Sequence, residues 1–409
     1  MGQRIHFGVS LALLVLALVL PTLLGLVTPF IIIAIAIGVF IATIARRQLR
    51  AAYADPASRG LLLAFLITLV EYTLTAQAPG DVRFAFNFTM LLLYGPIALF
   101  LSADRDRLGP QRVALLALAG VVVTLAMAGW FQLHAHGEGD RIRAFILGPI
   151  VEANATLGLA VLASMGALVF RSRWSLLLPL TIVGGVAVAL MGGARGPLLG
   201  IIPLVLLTLG FIWVQRREAR WLIGLGTLGA AAAGVAAVLA LGTERVVRLP
   251  QILGNLFAGD ASGDQTTEIR LSLYRAGWRA FLDAPWLGHG WVRLMKSAAP
   301  YQDPALHEFV KGLPQLHNDV LNFAVSGGVV GVGVYLIIIA SPLVAAWRSP
   351  RDSYWATRLY GVFGLAIVYV FAGLTDLMFG HEYHTAIYVM LNATVLGLCR
   401  APEPQATSA

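Results

Sequence analysis

The chain has 409 residues, 58% hydrophobic and 12% charged, and soluble domains carry about 25% charged residues, so an ordinary soluble protein is excluded. The net charge of +8 comes almost entirely from arginine, and no aromatic-interleaved basic stretch is present, so nucleic acid is not an expected partner. Because Cys399 is the single cysteine, disulfide frameworks and cysteine-based metal sites are excluded, and the composition predicts an all-α polytopic membrane protein.

Apolar windows long enough to span a bilayer recur along the whole chain. A membrane-spanning helix needs about 20 mostly apolar residues. The first window has no small-residue cleavage site, so it is interpreted as a retained helix and not as a removed signal peptide. Twelve spans are predicted, near 7–26, 28–45, 60–78, 86–102, 112–131, 150–170, 174–192, 197–214, 221–243, 318–341, 357–378 and 384–399.

The distribution of basic residues predicts the orientation. With the N-terminus in the cytoplasm, 17 of the 29 basic residues lie in cytoplasmic segments and only 4 in short outer loops. The other 8 lie in one long outer segment, 244–317. We therefore expect both termini inside. The expected organisation is helices one to nine (1–243), a periplasmic loop domain (244–317), helices ten to twelve (318–400) and a cytoplasmic tail (401–409).

Arg195 lies in a glycine-rich break between two predicted spans, in the sequence Met-Gly-Gly-Ala-Arg-Gly-Pro at 191–197. Backbone N–H groups at such a break, with Pro197 opening the next helix, favour binding of an anion. An arginine at this position could add a bidentate contact to phosphate. The alternative is a basic side chain that only snorkels to the membrane surface.

The outer segment contains a predicted amphipathic helix, from Thr266 or Thr267 to about Leu282. Helical periodicity predicts a buried stripe and places Arg270 beside it, so the guanidinium is expected to bind an anion. Two further arginines lie on the polar flank of this helix. For them, a lid with solvated arginines and a helix on the membrane surface are equally compatible interpretations. The stripe residues are Leu271, Tyr274, Trp278 and Phe281, and the flanking arginines are Arg275 and Arg279.

His317 follows this segment at the outer start of the tenth span. Pro314 favours a helix start directly after it, which predicts His317 in the first helical turn. Several glycines follow at 327–333 and allow close helix packing, which predicts a central position for this helix. A hydrogen-bonded structural histidine is the alternative reading.

The sequence features around Arg195, Arg270 and His317 together resemble the O-antigen ligase and polymerase superfamily of bacterial envelope glycosyltransferases. The family carries an outward arginine in an R-x3-L setting, a second arginine in a large periplasmic loop, and His-Asn followed by G-x-x-G. The corresponding residues here are Arg195 with Leu199, Arg270, and His317-Asn318 with Gly328 and Gly331. The family often continues with Thr-Leu where this chain has Val332-Gly333, a difference at packing positions.

The resemblance implies an O-antigen ligase of the bacterial inner membrane with its active site facing the periplasm. The donor would be O-antigen linked to undecaprenyl diphosphate, and the acceptor a sugar hydroxyl of lipid A-core. Neither metal nor nucleotide cofactor is expected. Arg195 and Arg270 would neutralise the diphosphate, and His317 would act as general base or only orient the acceptor. Direct displacement predicts inversion at the anomeric carbon.

Six further residues are weaker candidates for substrate binding. Arginines in short outer loops could extend the phosphate or acceptor site, and acids inside predicted spans are functional suspects because a charge in the bilayer is costly. The candidates are Arg83, Arg141, Arg143, Asn318, Glu71 and Asp376.

Four alternatives share parts of this pattern. Metal-dependent polyprenyl-phosphate glycosyltransferases keep acids in the first outer loop, whereas 26–30 here contains none. A transporter often shows internal repeats and broken helices at the midplane, and no repeat is found here. A repeat-unit polymerase of the same superfamily shares the motifs and is the main competitor to the ligase. A protein O-glycosylating member tends to have a long C-terminal extension, which is lacking here.

Overall fold

The computed structural model of the chain describes residues 2–134, 148–194, 196–221, 265–310 and 312–401. Within these ranges the regular elements are helices, without a β-strand. The main helices are α1 (Gly2–Leu18), α2 (Val27–Ala45), α3 (Pro56–Thr75), α4 (Thr89–Ser102), α5 (Pro110–His134), α6 (Pro149–Ser164), α7 (Thr181–Met191), α8 (Ile201–Gln215), α9 (Gln265–Asp283), α10 (Asp319–Arg348), α11 (Trp355–Gly373) and α12 (Glu382–Leu398). Short 3₁₀ segments precede α4, α7 and α8, at Pro79–Phe88, Arg173–Leu180 and Gly196–Gly200.

Nine helical segments within the described ranges are long and apolar enough to cross a membrane. They are Val27–Ala45, Pro56–Thr75, Pro79–Ser102, Pro110–His134, Pro149–Val169, Arg173–Met191, Gly196–Gln215, Asp319–Arg348 and Trp355–Gly373. The first and twelfth predicted spans correspond to the shorter helices α1 and α12. The ninth predicted span, 221–243, lies almost wholly outside the described residues. The chain is a polytopic all-α membrane protein, as the composition predicted.

Helices α6 and α12 lie at the centre of the bundle. Nearly every residue of both helices is buried. Glycines allow the close contacts around them: a Cβ on Gly158 would lie 2.9 Å from Leu391, and one on Gly364 would lie 2.6 Å from Val161. Small residues at helix interfaces are typical of membrane bundles, where close van der Waals packing drives association.

Segments predicted for the cytoplasmic side contact one another at one end of the bundle. His6 Nδ1 lies 2.8 Å from Asp104 Oδ2, which joins α1 to the segment after α4. The guanidinium of Arg358 donates to the carbonyl oxygen of Cys399 at 2.6 Å, which joins α11 to the end of α12. Both contacts therefore join segments that the distribution of basic residues predicts on the same side of the membrane.

Helix α10 is interrupted at Gly328, where φ is +60°. The segment 285–290 is inserted at the break and replaces the lost helical hydrogen bonds. The N–H groups of His289 and Gly290 donate to the carbonyls of Val325 and Ser326, and Val329 N–H donates to the carbonyl of Pro285. Such replacement is required in a membrane, because an unsatisfied backbone group there costs several kcal/mol.

Helix α9 buries a different face from the predicted one. Its fully buried residues are Leu273, Ala276 and Ala280, whereas Trp278 is 53% exposed. Small residues allow the helix backbone to approach its neighbours: a Cβ on Gly277 would lie 2.7 Å from Leu316. The small side chains therefore face the interior and the larger Trp278 lies outside.

Candidate active site

Three consecutive residues at the start of α10 bind one segment, 374–378, that follows α11. His317 Nδ1 lies 3.4 Å from Asp376 Oδ1. Asn318 Nδ2 donates to the carbonyl oxygen of Leu374 at 3.2 Å. Asp319, which is fully buried, accepts a hydrogen bond from the N–H of Met378 at 2.9 Å. The backbone around His317 is therefore fixed by polar contacts to a segment that is distant in sequence.

Pro314 predicts that His317 lies within the first turn of the helix. In the structure, His317 lies before the helix. The helix begins at Asp319, because the side chain of Asn318 accepts a hydrogen bond from Leu321 N–H at 3.1 Å and caps it. His317 has φ +52°, a left-handed conformation unusual for a residue with a side chain. Such strain is of order 1–3 kcal/mol and is concentrated at functional sites.

Asp376 was predicted inside the eleventh span, but α11 ends at Gly373, so the carboxylate lies in the segment after it. It accepts hydrogen bonds from Gln315 Nε2 at 2.8 Å and from Leu377 N–H at 2.9 Å. Burial raises the pKa of Asp376, but the hydrogen bonds from His317 and Leu377 outweigh burial and hold its pKa below the ordinary value. An ionised carboxylate can only accept, so the Nδ1 of His317 carries the hydrogen in this pair.

Arg270 lies on α9, one turn before Tyr274. The Tyr274 hydroxyl is 3.0 Å from the carbonyl oxygen of His317 and 2.9 Å from that of Leu374, so its single proton is shared between them. Burial raises the pKa of Tyr274 and the charge of Arg270 opposes this, with a net rise. Tyr274 is therefore a neutral donor. The charge of Arg270 acts on Tyr274, whose hydroxyl contacts the His317 backbone. None of the carboxylates within the described ranges forms an ion pair with Arg270.

Arg195 lies outside the described residues. The residue after it, Gly196, is buried against the side chain of Thr375, where a Cβ would collide with the threonine. Thr375 is adjacent to Asp376. The backbone next to Arg195 therefore packs on the same segment that His317, Asn318 and Asp319 bind.

Residues 180–336 match the family model described as O-Antigen ligase. The chain is therefore similar to the O-antigen ligase family over this stretch. The match covers less than half of the chain and includes Arg195, Arg270, His317 and Asn318. No curated protein matches the chain significantly. The O-antigen ligase family implies an enzyme of glycosyltransferase type that uses a lipid-linked glycan and a lipid acceptor.

Two of the weaker candidates, Arg83 and Glu71, are not among the residues that contact His317. Arg83 is exposed, its guanidinium lies 5.3 Å from the ring centre of Phe84, and its charge acts on Asp81. Glu71 is 4% exposed in α3 and packs against Gly327 beside the break in α10. Its Oε1 has no hydrogen-bond partner among the described residues. None of these contacts joins Arg83 or Glu71 to His317.

The remaining two weaker candidates, Arg141 and Arg143, lie outside the described residues. Asn318 is adjacent to His317 and Asp376 contacts its ring, so the structure places these two candidates at His317. Gln315 and Asp319, which bind the segment that carries Asp376, were not among the predicted site residues. A signal for Asp319 was available, because it is an acid at the start of a predicted span, directly after His317 and Asn318.

Proposed function

We propose that the protein is an O-antigen ligase of the bacterial inner membrane. It transfers a glycan from undecaprenyl diphosphate to a sugar hydroxyl of lipid A-core, at a site facing the periplasm. The basic residues at the opposite end of the bundle support this orientation, since cytoplasmic segments are enriched in arginine and lysine. The family domain, with Arg195, Arg270 and His317 inside it, supports the reaction class.

The His317–Asp376 pair is the observation that carries the proposal. Nδ1 donates to Asp376 at 3.4 Å. In this tautomer of the ring, the other nitrogen, Nε2, carries no hydrogen and can accept a proton. The acceptor hydroxyl oxygen attacks the anomeric carbon of the donor, its proton passes to Nε2, and the bond to the diphosphate oxygen breaks. This is the arrangement of a general base oriented by a carboxylate.

Arg270 would stabilise the leaving group. Undecaprenyl diphosphate departs with more negative charge than it had in the donor, and a guanidinium placed for that charge lowers the barrier. Arg270 has no carboxylate partner within the described residues, so its charge is available to an anion. Arg195 would provide a second contact, supported by the packing of Gly196 on Thr375 next to Asp376.

The test is a lipopolysaccharide gel from a deletion strain complemented with wild type, His317→Ala, His317→Gln or the matched control His134→Ala, whose histidine is exposed at the end of α5. A ligase predicts bare lipid A-core in the deletion strain, polymer retained on undecaprenyl diphosphate, rescue by wild type and control, and no rescue by His317→Ala. Partial rescue by His317→Gln would indicate that His317 orients the acceptor and is not the base.

The same gel separates the other functions. Core carrying a single repeat unit would assign the protein as the repeat-unit polymerase, which needs the same chemistry. An unchanged ladder would contradict both enzymes and favour a transporter. NMR of the new linkage tests inversion, because a retained anomeric configuration would contradict direct displacement.

A further inference from the structure

We propose that a polar cleft beside α9 binds a saccharide segment of one of the two substrates, an inference that rests on the proposed ligase function. One wall of this cleft, here called the α9 cleft, is the face of α9 that carries Glu268, Arg275, Trp278 and Arg279. The other wall is the segment 300–306. The open space between the two walls is about 830 Å³, within the size range of ligand sites in proteins.

The side chains of the α9 cleft fit a sugar. Trp278 is 53% exposed, and its ring packs against Phe281 with ring centres 5.3 Å apart, which holds the indole in place. An exposed indole offers a flat apolar surface to the C–H face of a pyranose, while charged groups beside it bond to the hydroxyls. Arg279, Glu268 and Asp303 supply both donors and acceptors around the ring. The carboxylates disfavour a bare phosphate.

The two walls of the α9 cleft are joined. The backbone N–H of Asp303 donates to the hydroxyl of Ser272 at 3.2 Å, which connects the 300–306 segment to α9. Ser272 and Gln302 are each 8% exposed. The hydroxyl of Tyr301 donates a hydrogen bond to Asp283 at the end of α9. A fixed cleft reduces the ordering cost of binding a flexible glycan.

The α9 cleft is placed to extend the reaction centre. Tyr274 contacts the His317 backbone, and the cleft residues lie on another side of the same helix. Crossing a helix takes about 10 Å. A glycan with its reacting sugar at His317 can therefore pass over α9 and place sugars further along the chain on Trp278. Both the donor polymer and the acceptor core are saccharides, so the chemistry alone fits either.

Binding is measured with full-length protein in nanodiscs, using two probes released from lipopolysaccharide by mild acid: the core oligosaccharide and the O-polysaccharide. Saturation-transfer NMR and calorimetry should show binding of at least one probe. Trp278→Ala and Arg279→Ala should each weaken it about tenfold, as expected for truncation of a central contact residue. Trp278→Phe keeps a flat ring and should retain most of the affinity, which separates lost stacking from misfolding.

Trp286→Ala is the matched control, because Trp286 is 74% exposed and lies outside the α9 cleft. It should bind like wild type. His317→Ala should also bind normally while failing in the gel. The probe that binds identifies the source as acceptor core or donor polymer.

Two results overturn the inference: neither probe binds wild type, or the Trp278 and Trp286 variants lose affinity equally, which would indicate a general surface or lipid effect. If the gel shows ligase activity but neither saccharide probe binds, the inference about the α9 cleft is rejected and the proposed ligase function is retained. Binding at the cleft with an unchanged ladder rejects the ligase reaction and leaves the saccharide site in place.

Discussion

The hydroxyl of Tyr274 donates a hydrogen bond to the backbone carbonyl of His317 across 3.0 Å. The same hydroxyl also lies 2.9 Å from the carbonyl oxygen of Leu374. One side chain of helix α9 thus joins the backbone of the candidate base to the segment that carries Asp376. Arg270 lies one turn away on the same helix, and its charge acts on Tyr274.

Tyr274→Phe tests this link. The substitution keeps the ring and removes the donor, so the carbonyls of His317 and Leu374 lose their shared hydrogen bond. We expect glycan transfer to fall about fivefold, since one such bond contributes about 1 kcal/mol. Tyr354→Phe is the control, because its hydroxyl accepts a hydrogen bond from Gln111 Nε2 at the opposite end of the bundle. Equal activity of the two variants in a transfer assay would contradict the role of Tyr274.

Asp376→Asn is expected to reduce transfer by about 10²–10⁴-fold, because an amide no longer fixes the tautomer of His317. Folding should be retained, since the side-chain oxygen can still accept from Leu377 N–H. The measurement is the initial rate with purified donor and acceptor, alongside thermal unfolding. The control Asp81→Asn changes an acid outside the His317 contacts, and its rate should match wild type. If Asp376→Asn retained full activity, the carboxylate would have no role in the mechanism.

The stability contribution of Asp376 has a defined pH dependence. The pKa of Asp376 is lowered in the folded protein, since the hydrogen bonds from His317 and Leu377 outweigh burial. Its contribution is therefore complete above the ordinary pKa of about 3.9 and is lost as the pH falls through the lower folded pKa. We expect the difference in melting temperature between wild type and Asp376→Ala to stay constant from about pH 8 to pH 5 and to shrink only below about pH 4. Loss of that difference between pH 7 and 5 would show that Asp376 protonates there.

Gly328→Ala should destabilise the protein by about 3 kcal/mol or more, because φ is +60° and the new Cβ would collide with the main chain of Trp286. Gly333→Ala on the same helix meets nothing within 4 Å and should change stability by no more than about 1 kcal/mol. Melting temperatures in detergent measure the contrast. Similar melting temperatures for the two variants would contradict the insertion of 285–290 into α10.

Arg270→Ala is expected to lower the rate of transfer by about 10²-fold, because removal of a group that stabilises developing charge costs about 3 kcal/mol. Arg270→Lys keeps the charge but loses the bidentate geometry, so it should retain an intermediate rate. Arg217→Ala, an exposed arginine at the opposite end, should leave the rate unchanged. If Arg270→Ala were as active as Arg217→Ala, the arginine would have no part in diphosphate departure.

The membrane-spanning helices could be predicted from the sequence because their signal is local. A run such as 27–45 is apolar enough to cross a bilayer whatever its neighbours are. The motif residues His317 and Asn318 were also recognisable, since they are adjacent in sequence. The buried face of α9 was not predictable in the same way. Burial there depends on how closely Ala276 and Ala280 allow the backbone to approach other segments, and hydrophobicity alone favours the larger Trp278.

What the sequence by itself determined is the fold class and the identity of the two arginines and one histidine that carry the family resemblance. Only the tertiary structure decided that Asp376, 59 residues after His317, is its partner. Two helices of the bundle, α10 and α11, separate these residues in sequence. Their meeting depends on where α11 ends and on the hydrogen bonds of Asn318 and Asp319 to the segment after it. Local composition contains no information about such a contact, because it arises from the packing of α10 against α11.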